Sequence, residues 1–294
     1  MEDVKVGHIE VTGGNVWYRI TGKGPGIPLL ILHGGPGSKS SESDPLRQLG
    51  TDRPVIQYDQ LGSGKSDRPT DTSLWTVERF VEELEQVIDA LDLKEVHILG
   101  HSWGTVLAAS YLLKKPGGVR SVIFSGPALD AQRWEQDQRK YLKQFPQDIQ
   151  ETIERSEREG TTDSEEYQEA MMAYYKRHMC RVDPWPEELV EDMKQMNQQV
   201  YNYMWGASEF TVTGTLKDFD VTGRLPEIDI PALFSCGRFD EATPEATEYY
   251  ASLAPDAEFH VFEESSHMPG IEEPEAYVEM VREWVNRQEM KPGA

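Results

Sequence analysis

The chain of 294 residues carries 52 Asp or Glu against 29 Lys or Arg, which gives a formal net charge of −23. This acidity argues against binding of nucleic acid or of an anionic membrane surface, because both need clustered Lys and Arg. No apolar stretch reaches the roughly 18 residues of a transmembrane helix, and the N-terminus lacks the apolar segment of a secretory signal. We therefore expect a cytoplasmic protein built as one large domain, or as one domain with an insertion.

Short apolar runs alternate with amphipathic segments along the first third of the chain. The segment 16–20 is predicted as an edge strand, and the runs 28–32 and 54–58 as strands buried on both faces. Apolar residues at helical spacing predict a helix over 77–91. This alternation predicts an α/β fold with a mostly parallel sheet covered by helices. The alternation of strands and helices continues with a strand predicted at 96–99, a helix at 104–114 and a strand at 119–125.

The composition changes near residue 128 and changes back near residue 215. Between these points the helix formers Glu, Gln, Lys, Arg and Met dominate, and β-branched residues are few. We predict a largely helical insertion at 128–215 within an α/β core made of 1–127 and 216–294. The second part of the core contains predicted strands at 232–236 and 259–262 and a closing amphipathic helix at 275–287.

Residues 100–104 read Gly-His-Ser-Trp-Gly and match the pattern G-x-S-x-G. In that pattern the serine lies on a sharp turn between a strand and a helix, where its hydroxyl is presented to a substrate. The predicted strand before the motif and the predicted helix after it supply this context. They favour Ser102 as a nucleophile over a surface serine in a glycine-rich turn.

A nucleophilic serine needs a base, which follows it in the chain in this architecture. His267 lies in a polar loop after the predicted strand 259–262, at the end of the strand where such a base belongs. His260 lies inside that strand, and we predict His178, in the helical insertion, as a surface residue. His267 is therefore the predicted base.

The carboxylate that orients the base is expected after the preceding strand, 232–236. Asp240 follows that strand and is the predicted acid, with Glu241 as its neighbouring competitor.

An oxyanion hole is predicted in the glycine-rich segment 33–37, which reads His-Gly-Gly-Pro-Gly and follows the predicted strand 28–32. Glycines allow backbone N–H groups to approach a developing oxyanion closely. One N–H is expected from Gly34 or Gly35 and the other from Trp103, directly after the nucleophile. A phosphate-binding loop is the alternative, but its Lys-Ser/Thr pattern is absent from this segment.

Five segments occur along the chain in this order: HGGPG, YDQLGSGKSD, GHSWGT, GRFDEATP and SSHMP. Through these segments the sequence resembles the proline iminopeptidase family of α/β hydrolases. The resemblance extends from about residue 16 to about residue 285 and implies an α/β-hydrolase fold with a helical cap. It implies Ser102 as nucleophile, Asp240 as acid and His267 as base. It also implies that Glu209 and Glu241 bind the free α-ammonium group of the substrate.

Aromatic residues near these positions are candidate walls of a substrate pocket. Tyr201 and Trp205 lie shortly before Glu209, and a hydrophobic slot there suits proline or a bulky N-terminal residue. Trp103 is a further candidate, whereas for Tyr203 we favour packing in the core.

The sequence predicts a serine aminopeptidase that releases an N-terminal residue, proline or another apolar one, from short peptides through an acyl-enzyme. An amino-acid amidase, or an esterase or lactonase of the same fold, is the alternative. His101 replaces a glycine that many members of the resembled family have, and G-H-S turns also occur in esterases and lactonases.

No metal or organic cofactor is expected. Cys180 and Cys236 are predicted as free thiols, since neither has Cys/His ligand spacing. The expected partner is a short peptide or an amino-acid amide or ester, bound by a monomer or small homo-oligomer.

Overall fold

The structure is a computed structural model, and it describes residues 3–41 and 44–290. These residues form one eight-stranded sheet in the order β1-β2-β4-β3-β5-β6-β7-β8. The strands are β1 (Val4–Val11), β2 (Gly14–Thr21), β3 (Leu29–Leu32), β4 (Val55–Tyr58), β5 (Val96–His101), β6 (Val119–Ser125), β7 (Ala232–Gly237) and β8 (Ala257–Phe262).

The sheet is mostly parallel, as predicted. Strands β3 to β8 run parallel to one another, while β2 is antiparallel to both of its neighbours, β1 and β4. The carboxyl ends of six strands therefore meet at one edge of the sheet, where ligands bind in open α/β sheets.

The segment 16–20 is a strand, as predicted, but the prediction that it lies at the edge of the sheet is wrong. This segment belongs to β2, which pairs with β4 on one side and with β1 on the other. Strand β1 covers the edge but was not predicted, because Val4 and Val6 at its start are exposed and only Ile9 and Val11 reach the core.

Five helices cover the sheet, and five more lie between β6 and β7 in the chain. Those five helices and the segment that joins them to β7, which contains Glu209, are called the cap below. One of these helices begins after Pro146 and ends at Gly160, which is in the left-handed conformation, and another begins after Pro186. The helices are α1 (Val77–Ala90), α2 (Trp103–Leu112), α3 (Ala131–Leu142), α4 (Gln147–Glu159), α5 (Glu165–His178), α6 (Glu187–Gln195), α7 (Gln198–Met204), α8 (Pro244–Leu253), α9 (Pro269–Glu272) and α10 (Pro274–Met290).

Both faces of the sheet are apolar because helices pack on each. Leu30 of β3 and Ile98 of β5 face the core cluster that includes α1 and α2. Ile31 and Leu99 face the opposite cluster, formed with residues of α10 such as Tyr277. We call this second side the α10 face.

The described helices include none that is both long enough and apolar enough to cross a membrane. Cys180 and Cys236 are buried free thiols, as predicted.

Candidate active site

The turn between β5 and α2 places Ser102 in a strained backbone conformation, with φ 53° and ψ −120°. The glycines on either side are required by close packing. A Cβ on Gly100 would lie 2.3 Å from the Gly104 carbonyl oxygen, and a Cβ on Gly104 would lie 2.1 Å from that of Leu32. The turn has the geometry of the nucleophile elbow of α/β hydrolases.

Asp240 and His267 meet at the carboxyl ends of β7 and β8. Asp240 Oδ1 lies 2.7 Å from His267 Nδ1 and also accepts the Ala242 N–H at 2.7 Å. Its Oδ2 accepts the N–H of Gly237 at 3.1 Å. These bonds orient the carboxylate, which in turn orients the imidazole.

Gly126, directly after β6, is a site residue that sequence reasoning missed. A Cβ there would lie 2.7 Å from His267 Cε1, and the backbone has a φ of +59°. Only glycine lets the imidazole pack against the end of β6. A glycine directly after a predicted strand was the available signal.

Ser102 and His267 line one cavity of about 380 Å³. Among the described residues, the Ser102 hydroxyl makes no hydrogen bond, and His267 Nε2 lies 3.8 Å from Oε1 of Glu241. Catalytic hydrogen bonds are often long in empty sites and tighten when substrate binds.

The predicted oxyanion loop passes beside the nucleophile. A Cβ on Gly34 would lie 3.2 Å from the Ser102 Cβ, and Gly35 has a φ of +117°. Both glycines line the cavity. Their backbone is therefore the part of the loop that approaches a group bound at Ser102.

Gln60 connects the oxyanion loop to the elbow, and sequence reasoning did not single it out. Its backbone N–H donates to His33 Nε2 at 3.0 Å, and its side-chain amide donates to the His33 carbonyl oxygen at 3.2 Å. The Trp103 indole donates to Gln60 Oε1 at 2.8 Å. These bonds hold both candidate oxyanion donors in one arrangement.

Two glutamates line the same cavity, Glu209 partly buried and Glu241 buried. Glu209 comes from the cap and accepts hydrogen bonds from Trp134 Nε1 at 3.1 Å and from the Tyr201 hydroxyl. Glu241 follows β7, and its Oε2 is buried without a hydrogen-bond partner in the structure. An unpartnered buried carboxylate oxygen is a strong acceptor for a bound cation.

The carboxylates and the imidazole control one another's pKa. Burial raises the pKa of Glu209 and, with the added repulsion of Glu209, raises that of Glu241 well above its usual range. Burial lowers the pKa of His267, but attraction to Asp240, Glu241 and Glu209 more than offsets this and raises it to about 9. The raised pKa of His267 favours a protonated imidazole at neutral pH.

Tyr201 lines the cavity, as predicted for an aromatic wall. Trp103 and Trp205 are not among the described residues that line it. The Trp103 indole points to Gln60, and Trp205 is buried against Trp134 with ring centres 5.8 Å apart. Tyr203 is 39% exposed on α7, so the prediction of core packing is wrong. It lies on the face of the short helix that points to solvent.

The prediction of His178 as a surface residue is also wrong. Its ring is buried, stacks on Tyr141 with centres 4.1 Å apart, and donates from Nδ1 to the Phe239 carbonyl oxygen at 2.8 Å. Its own carbonyl oxygen accepts the His267 N–H at 3.2 Å. His178 thus joins the cap to the loops of both Asp240 and His267.

The fold and the elbow together define an α/β hydrolase, and a family model described as the alpha/beta hydrolase fold matches residues 27–274. The chain is 57% identical over 282 residues to a proline iminopeptidase of Heyndrickxia coagulans, covering 95% of this chain and 98% of that protein. It therefore belongs to the proline iminopeptidase family.

Two solved structures are similar to this chain over nearly its whole length. The crystal structure of the proline iminopeptidase of Mycobacterium smegmatis matches with a TM-score of 0.89 at 32% identity, covering 97% of this chain and 98% of that one. The crystal structure of VinJ matches with a TM-score of 0.93 at 34% identity, covering 97% and 99%.

Proposed function

We propose that this protein is a serine aminopeptidase that releases N-terminal proline, or another apolar N-terminal residue, from short peptides. The observation that carries the proposal is the pair of Glu209, partly buried, and Glu241, buried, in the cavity that holds Ser102 and His267. A pair of carboxylates beside a nucleophile suits a substrate with a free ammonium group. The activity in the names of the family relatives supports the same conclusion.

In the proposed reaction, Ser102 Oγ attacks the carbonyl carbon of the N-terminal residue and its proton passes to His267 Nε2. The C–N bond of the resulting tetrahedral intermediate breaks, and His267 returns the proton to the leaving amine. Water then attacks the acyl-enzyme ester with His267 again as base. The products are the free amino acid and the shortened peptide, and Ser102 regains its proton.

The tetrahedral intermediate carries a negative oxygen that needs fixed donors. We assign this role to the backbone N–H groups of Trp103 and of Gly34 or Gly35. Their loops are joined by Gln60, so the donors are positioned before the substrate arrives.

Substrate binding and base activation are coupled in this proposal. The pKa of His267 is raised because carboxylates surround it, and a protonated imidazole is not a base. An ammonium group bound by Glu209 and Glu241 neutralises that charge and lowers the pKa of His267. The substrate that the site recognises is therefore also the one that activates the base.

We further propose that 128–215 acts as a cap domain on a core of 1–127 and 216–294. The cap supplies Tyr201 and Glu209 to the cavity, and the core supplies Ser102, Glu241 and His267. A cavity of about 380 Å³ is near the lower end of the usual range for small-ligand sites, which favours short peptides.

A pair of matched substrates tests the role of the carboxylates. Proline arylamide and cyclopentanecarboxylic arylamide differ only in the ring nitrogen, and we expect the wild type to favour the proline compound by about 100-fold or more in kcat/KM. Glu241→Gln or Glu209→Gln should reduce this ratio at least about tenfold, because a neutral amide loses the charge attraction.

The control is Glu248→Gln, which removes an exposed glutamate on α8 and should leave the ratio unchanged. A ratio that stays at the wild-type value in both cavity variants would overturn the assignment of Glu209 and Glu241.

A further inference from the structure

The cavity extends past Ser102 to the α10 face of the sheet. Its lining includes Ile31 of β3 and Leu99 of β5, which are register partners, and Tyr277 of α10. Leu99 lies three residues before Ser102, about 10 Å of strand, so the cavity lining continues along β5 below the nucleophile. We call this part of the cavity the lower arm.

In the order of the strands, the sheet residues of the lower arm and Glu241 lie on different sides of Ser102. The walls of the arm come from β4, β3 and β5, whereas Glu241 follows β7, two strands beyond β5 in the sheet. A substrate whose ammonium group is bound at Glu241 therefore has its other end directed toward the arm.

The residues after the base lead into the same arm. Pro269, Gly270 and Ile271 in α9 directly follow the His267 loop and line the cavity. The leaving amine must lie within reach of His267 Nε2 to receive its proton. The atoms attached to that amine are then next to α9.

The chemistry of the arm is mainly apolar. Leu46, Ile271 and the residues named above supply aliphatic and aromatic surface, and Leu46 is 1% exposed. Its polar end is occupied by Asp44, whose Oδ2 accepts a hydrogen bond from Gln57 Nε2 at 3.1 Å. Such a wall favours an uncharged apolar side chain and disfavours an acidic one.

His101 lies at the entrance of the arm. It follows Leu99 by two residues and so points to the same face of the sheet. Its Nε2 donates to the His267 carbonyl oxygen at 2.8 Å, and a Cβ on Gly34 would lie 3.3 Å from its Nδ1. The ring thus spans from the oxyanion loop to the base loop and limits what enters.

We propose that the lower arm is the binding site for the side chain of the residue that follows the scissile bond, and that it selects medium-sized apolar side chains. This inference rests on the proposed aminopeptidase function and adds a specificity for the leaving group. His101 sets the width of the entrance, and Ile271 sets the width of the arm beside the leaving amine.

The test uses prolinamide, Pro-Gly-NH2, Pro-Leu-NH2 and Pro-Asp-NH2 as substrates, with kcat/KM measured for each. Prolinamide releases ammonia, which has no side chain to occupy the lower arm. Its kcat/KM therefore measures the catalytic centre alone. We expect Pro-Leu-NH2 to exceed Pro-Gly-NH2 by at least about tenfold, because a leucine side chain is buried, and Pro-Asp-NH2 to fall below Pro-Gly-NH2.

Two variants at Ile271 change the arm in opposite directions. Ile271→Trp should reduce the ratio of kcat/KM for Pro-Leu-NH2 to that for Pro-Gly-NH2 to about two or less, because the indole fills the arm. Ile271→Ala should raise kcat/KM for Pro-Trp-NH2 relative to Pro-Leu-NH2 about fivefold or more. Val190→Trp, at an exposed position of α6 outside the cavity lining, is the control and should keep the wild-type ratio.

The outcomes separate the two proposals. Failure of the wild type to hydrolyse prolinamide and all three dipeptide amides would overturn the aminopeptidase function itself. Hydrolysis of prolinamide with a Leu-to-Gly ratio near one, or with a ratio that neither Ile271 variant changes, would overturn the lower arm as the leaving-group site.

Discussion

Backbone atoms of separate loops hold each reacting side chain of this site. The Ser102 N–H donates to the Ser125 carbonyl oxygen at 3.0 Å, and two backbone N–H groups fix the Asp240 carboxylate. His267 is held by Asp240 through its ring and by His178 through its backbone. The relative positions of the three side chains therefore depend on how the loops pack together. Sequence patterns around a single residue do not predict this packing.

The raised pKa of His267 predicts an unusual pH dependence. A fluorophosphonate reacts with Ser102 only when His267 is neutral, so the labelling rate should rise with pH to a midpoint near 9 in the empty enzyme. Saturating pyrrolidinium, a cyclic ammonium ion, should move the midpoint to lower pH because it neutralises Glu209 and Glu241. A midpoint near that of ordinary histidine, unmoved by pyrrolidinium, would contradict the coupling.

His178 is expected to position the triad rather than to react. His178→Phe keeps an aromatic ring on Tyr141 but loses the hydrogen bond to the Phe239 carbonyl oxygen, which is worth about 1 kcal/mol. We expect kcat to fall about fivefold to tenfold with KM changed less than about twofold. His260→Phe on β8 is the matched control.

Unchanged kcat in His178→Phe, with normal folding by circular dichroism, would show that the cap does not position these loops. A rise in KM at constant kcat would instead assign His178 to substrate binding and contradict its positioning role.

Sequence reasoning brought together the residues with strong local signals. Ser102, Asp240 and His267 each follow a strand, and their order along the chain is typical of the fold. His178 has no such signal, because its partner Phe239 is 61 residues away. Because His178 stands alone in a helix rich in charged residues, it was predicted to lie on the surface.

At the level of elements, buried strands were the most predictable part of the fold. The predicted strand at 119–125 coincides with β6, since its apolar residues are enclosed by Gly118 and Gly126. β1 was missed because half of its length faces solvent and shows no continuous apolar run. Parallel strands covered on both faces carry a clearer pattern than an exposed antiparallel edge.

The elbow between β5 and α2 is expected to tolerate no side chain at Gly104. Gly104→Ala would place a methyl group 2.1 Å from the Leu32 carbonyl oxygen, and we expect a loss of about 3 kcal/mol or more in the free energy of unfolding. Denaturant titration measures this loss. Gly117→Ala, where a Cβ meets nothing within 4 Å, is the control.

A Gly104→Ala protein with wild-type stability and activity would contradict the packing argument for the elbow. Equal destabilisation by Gly117→Ala would show that the loss of glycine itself, rather than the contact with β3, is responsible.

On the scale of the whole molecule, the cap and the core are joined at the site they share. Asn197, between α6 and α7, donates from its backbone N–H to the Gly37 carbonyl oxygen and from its side chain to that of Gly62, both at 2.8 Å. Gly37 is the last residue of the oxyanion loop, and Gly62 lies in the loop after β4. The contacts of Asn197 thus hold the cap against the oxyanion loop of the core.

The central claim is that a serine nucleophile acts on substrates with a free N-terminal amine. The most direct measurement is hydrolysis of a prolyl arylamide beside its N-acetylated twin, with Ser102→Ala as the control. The proposed mechanism predicts cleavage of the free amine alone, and by the wild type alone, because the acetylated nitrogen carries no charge for Glu209 and Glu241. Cleavage of a simple aryl ester with neither arylamide cleaved would contradict the aminopeptidase function and indicate an esterase or lactonase on the same triad.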